Sequence, residues 1–148
     1  MSLLRRSGQQ ALQALLELAQ EPGRWRSVNE IAAAQSLPAP MLEQLLLQLR
    51  RAGLLEARRG RLGGYRLGRP PAQIAVAEVL EAVGAPLALL DADGGNSTRA
   101  EQQVLISMGR RLQRAMEREL MQFNLEELLY DLESCRESLS HEGGLMLG

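Results

Sequence analysis

Residues 27–70 decide the fold, and their sequence is SVNEIAAAQSLPAPMLEQLLLQLRRAGLLEARRGRLGGYRLGRP. The first four residues form a capping box, because the Ser27 hydroxyl can accept a hydrogen bond from the Glu30 amide while the Glu30 carboxylate reaches back. The box predicts a short helix from Val28 to about Gln35, with a turn directly after it.

A second helix is predicted after this turn, over residues 40–52. Pro40 suits the first helical position, where its missing N–H needs no partner, and Gly53 suits the end of the helix. The apolar side chains recur at helical spacing and predict a buried face made of Leu42, Leu45, Leu46 and Leu49. Two helices separated by a tight turn are typical of a helix-turn-helix.

The glycine-rich end of the stretch predicts a hairpin. Residues 54–58 and 65–67 have the pattern of short strands, and residues 60–64 join them as a flexible tip. An amphipathic helix is also predicted upstream, over residues 8–20. Three helices followed by a hairpin predict a mostly α-helical winged helix-turn-helix domain with a small β-hairpin wing, spanning residues 1–83.

Charge is distributed unevenly along the chain, although the formal net charge is only −1. Residues 1–70 contain eleven arginines and five glutamates, whereas residues 71–148 contain six arginines and thirteen acidic residues. A basic half of this kind is typical of a protein that binds an anionic polymer, so we expect double-stranded DNA as the partner.

The expected DNA contacts lie on the second helix of the motif and on the wing. Glutamine can pair bidentately with adenine, and arginine can bind guanine or phosphate. The predicted contacts on the helix are Pro40, Met41, Gln44, Gln48 and Arg51, and those on the wing are Arg58, Arg61, Tyr65 and Arg66. Arginines on a small wing can meet phosphate or enter the minor groove.

The C-terminal half predicts an arm for self-association. A loop is expected at residues 84–98, a helical region at 99–140 with a long helix over 99–123, and a flexible tail at 141–148. A helix of this length spans roughly 35 Å, which is difficult to bury within one small domain. We therefore expect a homodimer, with an interface formed by Leu105, Met108, Leu112, Met116, Leu120 and Phe123.

Several classes of protein are not expected. The sequence has no Ser/His/Asp, Cys/His or phosphate-loop pattern and no metal-spaced cluster, so an enzyme is not predicted. It has no apolar run long enough to span a membrane, and residues 1–6 lack the apolar run of a signal peptide, so neither a membrane-spanning helix nor a signal peptide is expected. The single cysteine, Cys135, fits a reducing cytoplasm.

The chain resembles the Rrf2 family of bacterial winged-helix regulators. The resemblance rests on ALQALLELAQ at residues 11–20, on residues 27–83, and on NLEELL at residues 124–129. Its most specific part is LEQLLLQLRRAGLL followed by RG and GGYRLGRPP. The match covers about residues 7–83 well and the long helix more loosely.

The resemblance implies a homodimer that is joined through the long helix and binds a near-palindromic operator. It also implies that Arg59 enters the minor groove and that Glu43 accepts a hydrogen bond from cytosine. The expected function is transcriptional regulation, with repression favoured over activation.

The chain departs from the family at the sensor position. Cluster-binding members place three cysteines in the loop before the long helix, but here that loop is LLDADGGNSTRAEQ. A [2Fe–2S] cluster needs about four thiolate or imidazole ligands, so no cofactor and no metal are expected. Two alternatives remain open: control by a protein partner or small metabolite near residues 87–98, or an interaction module that has lost DNA binding.

Overall fold

The computed structural model describes residues 4–88 and 99–147, and for residues 142–147 it describes the backbone alone. Within these residues the chain forms six α-helices, one 3₁₀ turn at Pro71–Gln73 and one two-stranded hairpin. In chain order the elements are α1 Arg6–Ala19, α2 Val28–Gln35, α3 Ala39–Arg51, β1 Leu55–Arg58, β2 Gly64–Leu67, α4 Val76–Ala82, α5 Ala100–Leu120 and α6 Leu125–Leu147. The predicted mostly α-helical fold class with a β-hairpin wing is confirmed.

The helix-turn-helix forms as its sequence predicts. The Ser27 hydroxyl accepts the Glu30 amide at 3.1 Å and caps α2, while the Glu30 carboxylate accepts from Arg26 Nε rather than completing the capping box. Ser36 ends α2 in the left-handed region, with φ 53°. Helix α3 then buries its four predicted leucines against α1, α2 and α4, and this burial fixes which face of α3 points outward.

Helix α3 ends in a tight cap that leads directly into the wing. Gly53 adopts φ +79°, and Leu54 N–H donates to the Leu49 carbonyl at 3.0 Å. A glycine in the left-handed conformation combined with such a bond is typical of a Schellman cap. The cap turns the chain so that β1 starts beside the core, with Leu54 fully buried.

The wing is a two-stranded antiparallel hairpin with a third segment bonded to its edge. Leu55 pairs with Leu67 and Ala57 with Tyr65, so their side chains share the inner face. Glu56 pairs with Arg66 on the outer face. Arg26, just before α2, forms an antiparallel bridge with Tyr65 through two hydrogen bonds of 2.8 and 2.9 Å. The residues before α2 therefore belong structurally to the wing.

The C-terminal half differs from its prediction in several details. Before α4 the chain forms a 3₁₀ turn at Pro71–Gln73 and a single bridge between Ala75 and Asn124. The long helix ends at Leu120 rather than near 123, because the chain turns there to let Phe123 O accept from Val76 N–H at 3.1 Å. Phe123 therefore lies in the turn between the two last helices.

Helix α6 returns to the body of the protein. The Asn124 side chain accepts a hydrogen bond from the Glu127 amide at 2.9 Å and caps the helix, and Leu125 is buried in the core. The helix continues to Leu147 through two glycines, beyond residue 140, where the helical region is expected to end. Residues 141–147, predicted as a flexible tail, are thus helical, because local glycine propensity is a weak signal. Residues 89–98 of the predicted loop lie outside the described residues.

Candidate nucleic-acid interface

The exposed side chains of α3 are mostly polar, with Met41 and Leu47 as apolar exceptions. All six residues predicted on it for DNA contact are exposed: Pro40, Met41, Glu43, Gln44, Gln48 and Arg51. Across residues 4–88 and 99–141, no hydrogen bond or ion pair engages the side chains of Glu43, Gln44, Gln48 or Arg51. Their donors and acceptors are therefore available to base edges and phosphates.

The wing tip is built around glycines that the backbone requires. Gly63 N–H donates to Gly60 O at 3.1 Å and closes a tight turn. A Cβ at Gly63 would collide with the carbonyl of Arg58, and a Cβ at Gly64 would collide with the carbonyl of Arg26. Gly64 also has φ +136°, a conformation that other residues rarely adopt. The turn at the tip therefore requires glycine at both positions.

The four predicted wing arginines divide into two pairs. Arg58 donates to the Leu62 carbonyl at 2.6 Å, and Arg66 Nε donates to the Glu56 carboxylate at 2.8 Å. Arg59 and Arg61 are exposed, and no hydrogen bond or ion pair within the described ranges holds their guanidinium groups. The second pair is consequently the more available for an external anion.

Trp25 is the residue of this surface that the sequence analysis missed. The guanidinium carbons of Arg58 and Arg66 lie 4.6 and 4.3 Å from the centre of its ring. Trp25 is conspicuous in the sequence, because it is the only tryptophan of the chain. Its role was not visible, because the bridge between Arg26 and Tyr65, which brings Trp25 to the wing, joins residues far apart in sequence.

Tyr65, also predicted to contact DNA, is partly buried and packs against the hydrophobic core. Its position follows from the pairing with Ala57, which puts both side chains on the inner face of the hairpin. Any contact of Tyr65 with DNA would have to be made from this partly covered position.

Some arginines of the basic half are used inside the protein. Arg26 is only 13% exposed and pairs with Glu17 at 3.2 Å, and Gln35 donates to the same carboxylate at 2.8 Å. Arg69 pairs with Glu78 at 2.7 Å. On the surface, a hydrogen bond to Glu21 raises the pKa of Arg24 above its ordinary value. The exposed cations without a partner in the described chain include Arg50, Arg51, Arg59 and Arg61, at the end of α3 and on the wing.

The predicted dimer stripe on α5 is split in two. Leu105, Met108 and Leu112 are 59%, 53% and 52% exposed. Met116 is half-buried, and Leu120 packs against the core of its own chain. Only Gly109 is buried among the residues of α5. The N-terminal part of the helix thus presents an uncovered apolar surface.

These observations define a winged helix-turn-helix DNA-binding protein. Its family is given by comparison with known sequences: residues 4–131 match the Rrf2 family, described as iron-dependent transcriptional regulators. The chain belongs to this family. It is a DNA-binding transcriptional regulator and not an enzyme, as the sequence predicts.

Individual relatives agree with this assignment. A protein of Synechocystis sp. assigned to the HTH-type transcriptional regulators, slr0846, is 38% identical over 125 residues, which are 84% of this chain and 85% of that protein. The solved structure of T. potens IscR is similar with a TM-score of 0.71 and 31% identity, covering 88% of both chains. CymR, the global cysteine regulator of B. subtilis, gives a TM-score of 0.71 and 29% identity, covering 88% of this chain and 98% of its own.

The family description raises the question of iron. The chain has one cysteine and one histidine, and Cys135 and His141 lie six positions apart on α6, so they do not share a face of the helix. Among the described residues, no group of three or more His, Cys, Asp or Glu side chains is arranged to hold a metal ion. This donor set does not fit a [2Fe–2S] cluster, which needs about four thiolate or imidazole ligands.

The structure also bears on membrane association. Over the helices that the structure describes, none combines the length and the apolar composition needed to cross a bilayer.

Proposed function

We propose that this regulator binds a near-palindromic operator as a homodimer, with α3 in the major groove and the wing on the adjacent backbone and minor groove. The observation that carries the proposal is that two exposed sets of side chains have no partner within the described residues: the outer face of α3, and Arg59 and Arg61 on the wing. Glutamine and arginine side chains supply base contacts, and arginines on the wing supply phosphate or minor-groove contacts.

Dimerisation through α5 completes this proposal. An uncovered row of Leu105, Met108 and Leu112 is costly in water, and a second copy of the same helix would cover it. A two-fold dimer would present two copies of α3, and such symmetry requires an operator with two related half-sites.

We further propose that DNA binding needs no iron–sulfur cluster and that it represses transcription. The first point is supported by the poor fit between the donor set and a cluster, and the second by the simplest consequence of an occupied operator, which is exclusion of other proteins from that DNA. The cytoplasmic location expected from the cysteine content belongs to the same proposal.

The signal that controls binding is proposed to be a protein partner or a small metabolite near residues 87–98. Gln113 on α5 donates to the Leu87 carbonyl at 2.8 Å, so the start of this segment is attached to the proposed dimer helix. A ligand bound there would act on the relative position of the two protomers.

The experiment that tests the function is selection from a random double-stranded DNA library by the purified, metal-free protein. We expect enrichment of a palindrome, and a log–log salt slope that grows by about 0.9 for each phosphate contacted. Enrichment only after iron is supplied would overturn the cluster-free proposal.

The alternative left open by the sequence, an interaction module that has lost DNA binding, disagrees with the DNA-binding role of the family, and the exposed acidic surface of α6 is the observation on its side. It predicts no enrichment of any DNA sequence and a shallow salt dependence of binding.

A reporter gene carrying the enriched sequence decides between repression and activation.

A further inference from the structure

One aromatic ring lies against the outer face of the wing and contacts both of its bound arginines. Arg26 is bridged to Tyr65, which places its neighbour Trp25 in register with Arg66. The ring centre is 4.3 Å from the guanidinium carbon of Arg66 and 4.6 Å from that of Arg58. Both distances lie well within the range of a cation–π interaction, for which tryptophan is the most favourable ring.

Each of these arginines has a second attachment within the hairpin. Arg66 is tied to Glu56 on the neighbouring strand at 2.8 Å. Arg58 reaches across the tip to the Leu62 carbonyl at 2.6 Å. The ring therefore contacts one arginine that joins the two strands and another that spans the tip of the hairpin.

We propose that Trp25 is a positioning residue for DNA binding, which holds Arg58 and Arg66 against the wing so that Arg59 and Arg61 project from a fixed tip. This inference rests on the proposed function. It reassigns Arg58 and Arg66 from direct phosphate contact, their role in the sequence prediction, to support of the wing. A tip that is already ordered loses less conformational freedom on binding, which strengthens the complex without adding a contact.

The main competing interpretation is that Trp25 only fills space beside the hairpin. Two substitutions separate the interpretations. Trp25→Leu keeps an apolar side chain but removes the ring, whereas Trp25→Phe keeps a ring face toward the guanidinium groups. Both replacements are smaller than tryptophan and close to each other in volume, so if bulk alone matters, both lose function to a similar extent. If the ring holds the arginines, Trp25→Phe retains most of the wild-type behaviour.

The first arm of the test needs no DNA. Trypsin cleaves after arginine, so the cleavage rate after Arg59 and Arg61 reports how often the wing tip opens. We expect Trp25→Leu to raise this rate about fivefold and Trp25→Phe to raise it less than about twofold, from the loss or retention of the cation–π contacts. Cleavage after Arg110 and Arg111 on α5, together with the thermal midpoint, is the control for general destabilisation.

The second arm measures affinity for the duplex that the wild-type protein enriches from the random library. We expect Trp25→Leu to weaken binding about tenfold and Trp25→Phe to weaken it less than about threefold, because the ordering of the tip is lost in the first variant only. The salt slope is expected to stay at the wild-type value in both variants, because Trp25 itself neutralises no phosphate.

The outcomes are distinct. Equal cleavage rates in wild type and Trp25→Leu overturn the proposal, as does faster cleavage with unchanged affinity, because an ordered tip would then be irrelevant to binding. If both variants lose affinity equally, Trp25 acts through bulk alone, which also overturns it. If the wild type enriches no DNA, the proposed function fails, whereas the trypsin arm still decides whether the ring holds the wing.

Discussion

Helices α3 and α5 are both amphipathic, but they leave opposite faces uncovered. Helix α3 buries Leu42, Leu45, Leu46 and Leu49 in the core of its own chain and exposes glutamines and arginines. Helix α5 buries only Gly109 among its 21 residues and exposes Val104, Leu105, Met108 and Leu112. The same periodic pattern in sequence therefore has two structural outcomes.

The difference between the exposed faces indicates which kind of partner each helix can bind. A helix whose apolar face is buried within its own chain needs no partner in order to fold, so its exposed polar groups can bind a polar ligand such as DNA. A helix that leaves an apolar face in water is incomplete as a monomer, and covering that face favours association. In this chain α3 fits the first case and α5 the second.

The largest effect, on the free energy of unfolding, is expected from a substitution in the buried face of α3. Leu46 is fully buried, so Leu46→Ala should lower the free energy of unfolding by about 2–5 kcal/mol through lost burial and the cavity left behind. Urea denaturation followed by circular dichroism measures the change. Gln48→Ala, on the exposed face, is the control and should stay within about 0.5 kcal/mol. Equal costs for the two variants would contradict the assigned burial.

The next effect concerns the exposed face of α5. Leu105→Asp combined with Leu112→Asp should raise the dimer dissociation constant at least about hundredfold, because each change buries an unpaired charge twice in a two-fold interface. Analytical ultracentrifugation measures the dissociation constant. The helical circular dichroism of the winged domain should persist, because both residues lie outside its core.

The matched control for this variant is Leu112→Met, which conserves volume and polarity and should leave the dimer intact. A double aspartate variant that remains dimeric at low micromolar concentration would mean that another surface joins the protomers.

A smaller effect is expected at the wing. Arg59→Ala should weaken operator binding by about 1–3 kcal/mol and lower the salt slope, with the dimer unchanged. Arg69→Ala is the control, since this guanidinium is already paired with Glu78 at 2.7 Å. Fluorescence anisotropy at several salt concentrations measures both variants. If Arg69→Ala costs as much as Arg59→Ala, the wing tip has no special role.

Much of the winged domain could be predicted because its signals are local. The Ser27 cap, the leucine spacing of α3 and the glycine after it each depend on residues within one or two helical turns. The limits of α5 and α6 were less accurate, because α5 ends where Phe123 bonds to Val76, a residue distant in sequence. Tertiary hydrogen bonds of this kind leave no periodic signature.

The candidate site was predictable in composition but not in detail. Arginine and glycine content indicated the wing, and the residues proposed for α3 are all exposed. The strand register decides which arginines remain unpaired. It places Glu56 opposite Arg66, and the two side chains form an ion pair. The contribution of Trp25 depends on the edge bridge from Arg26, which the spacing of residues did not reveal.

The smallest expected effects compare two helix caps, one in each half of the chain. Ser27 caps α2 and Asn124 caps α6 through side-chain bonds of 3.1 and 2.9 Å to backbone amides. Ser27→Ala and Asn124→Ala should each cost about 1 kcal/mol, and glycine at either position only a few tenths.

Calorimetry of these two variants shows whether α6 unfolds together with the winged domain. Leu125 is buried in the common core, and Ala75 is bridged to Asn124, so we expect both substitutions to shift one shared transition by a similar amount. An early transition that moves only in Asn124→Ala would show that α6 opens separately from α3 and the wing. The contrast between the two halves would then extend from their exposed faces to their cooperativity, because the last helix would be able to detach while the DNA-binding surface stays folded.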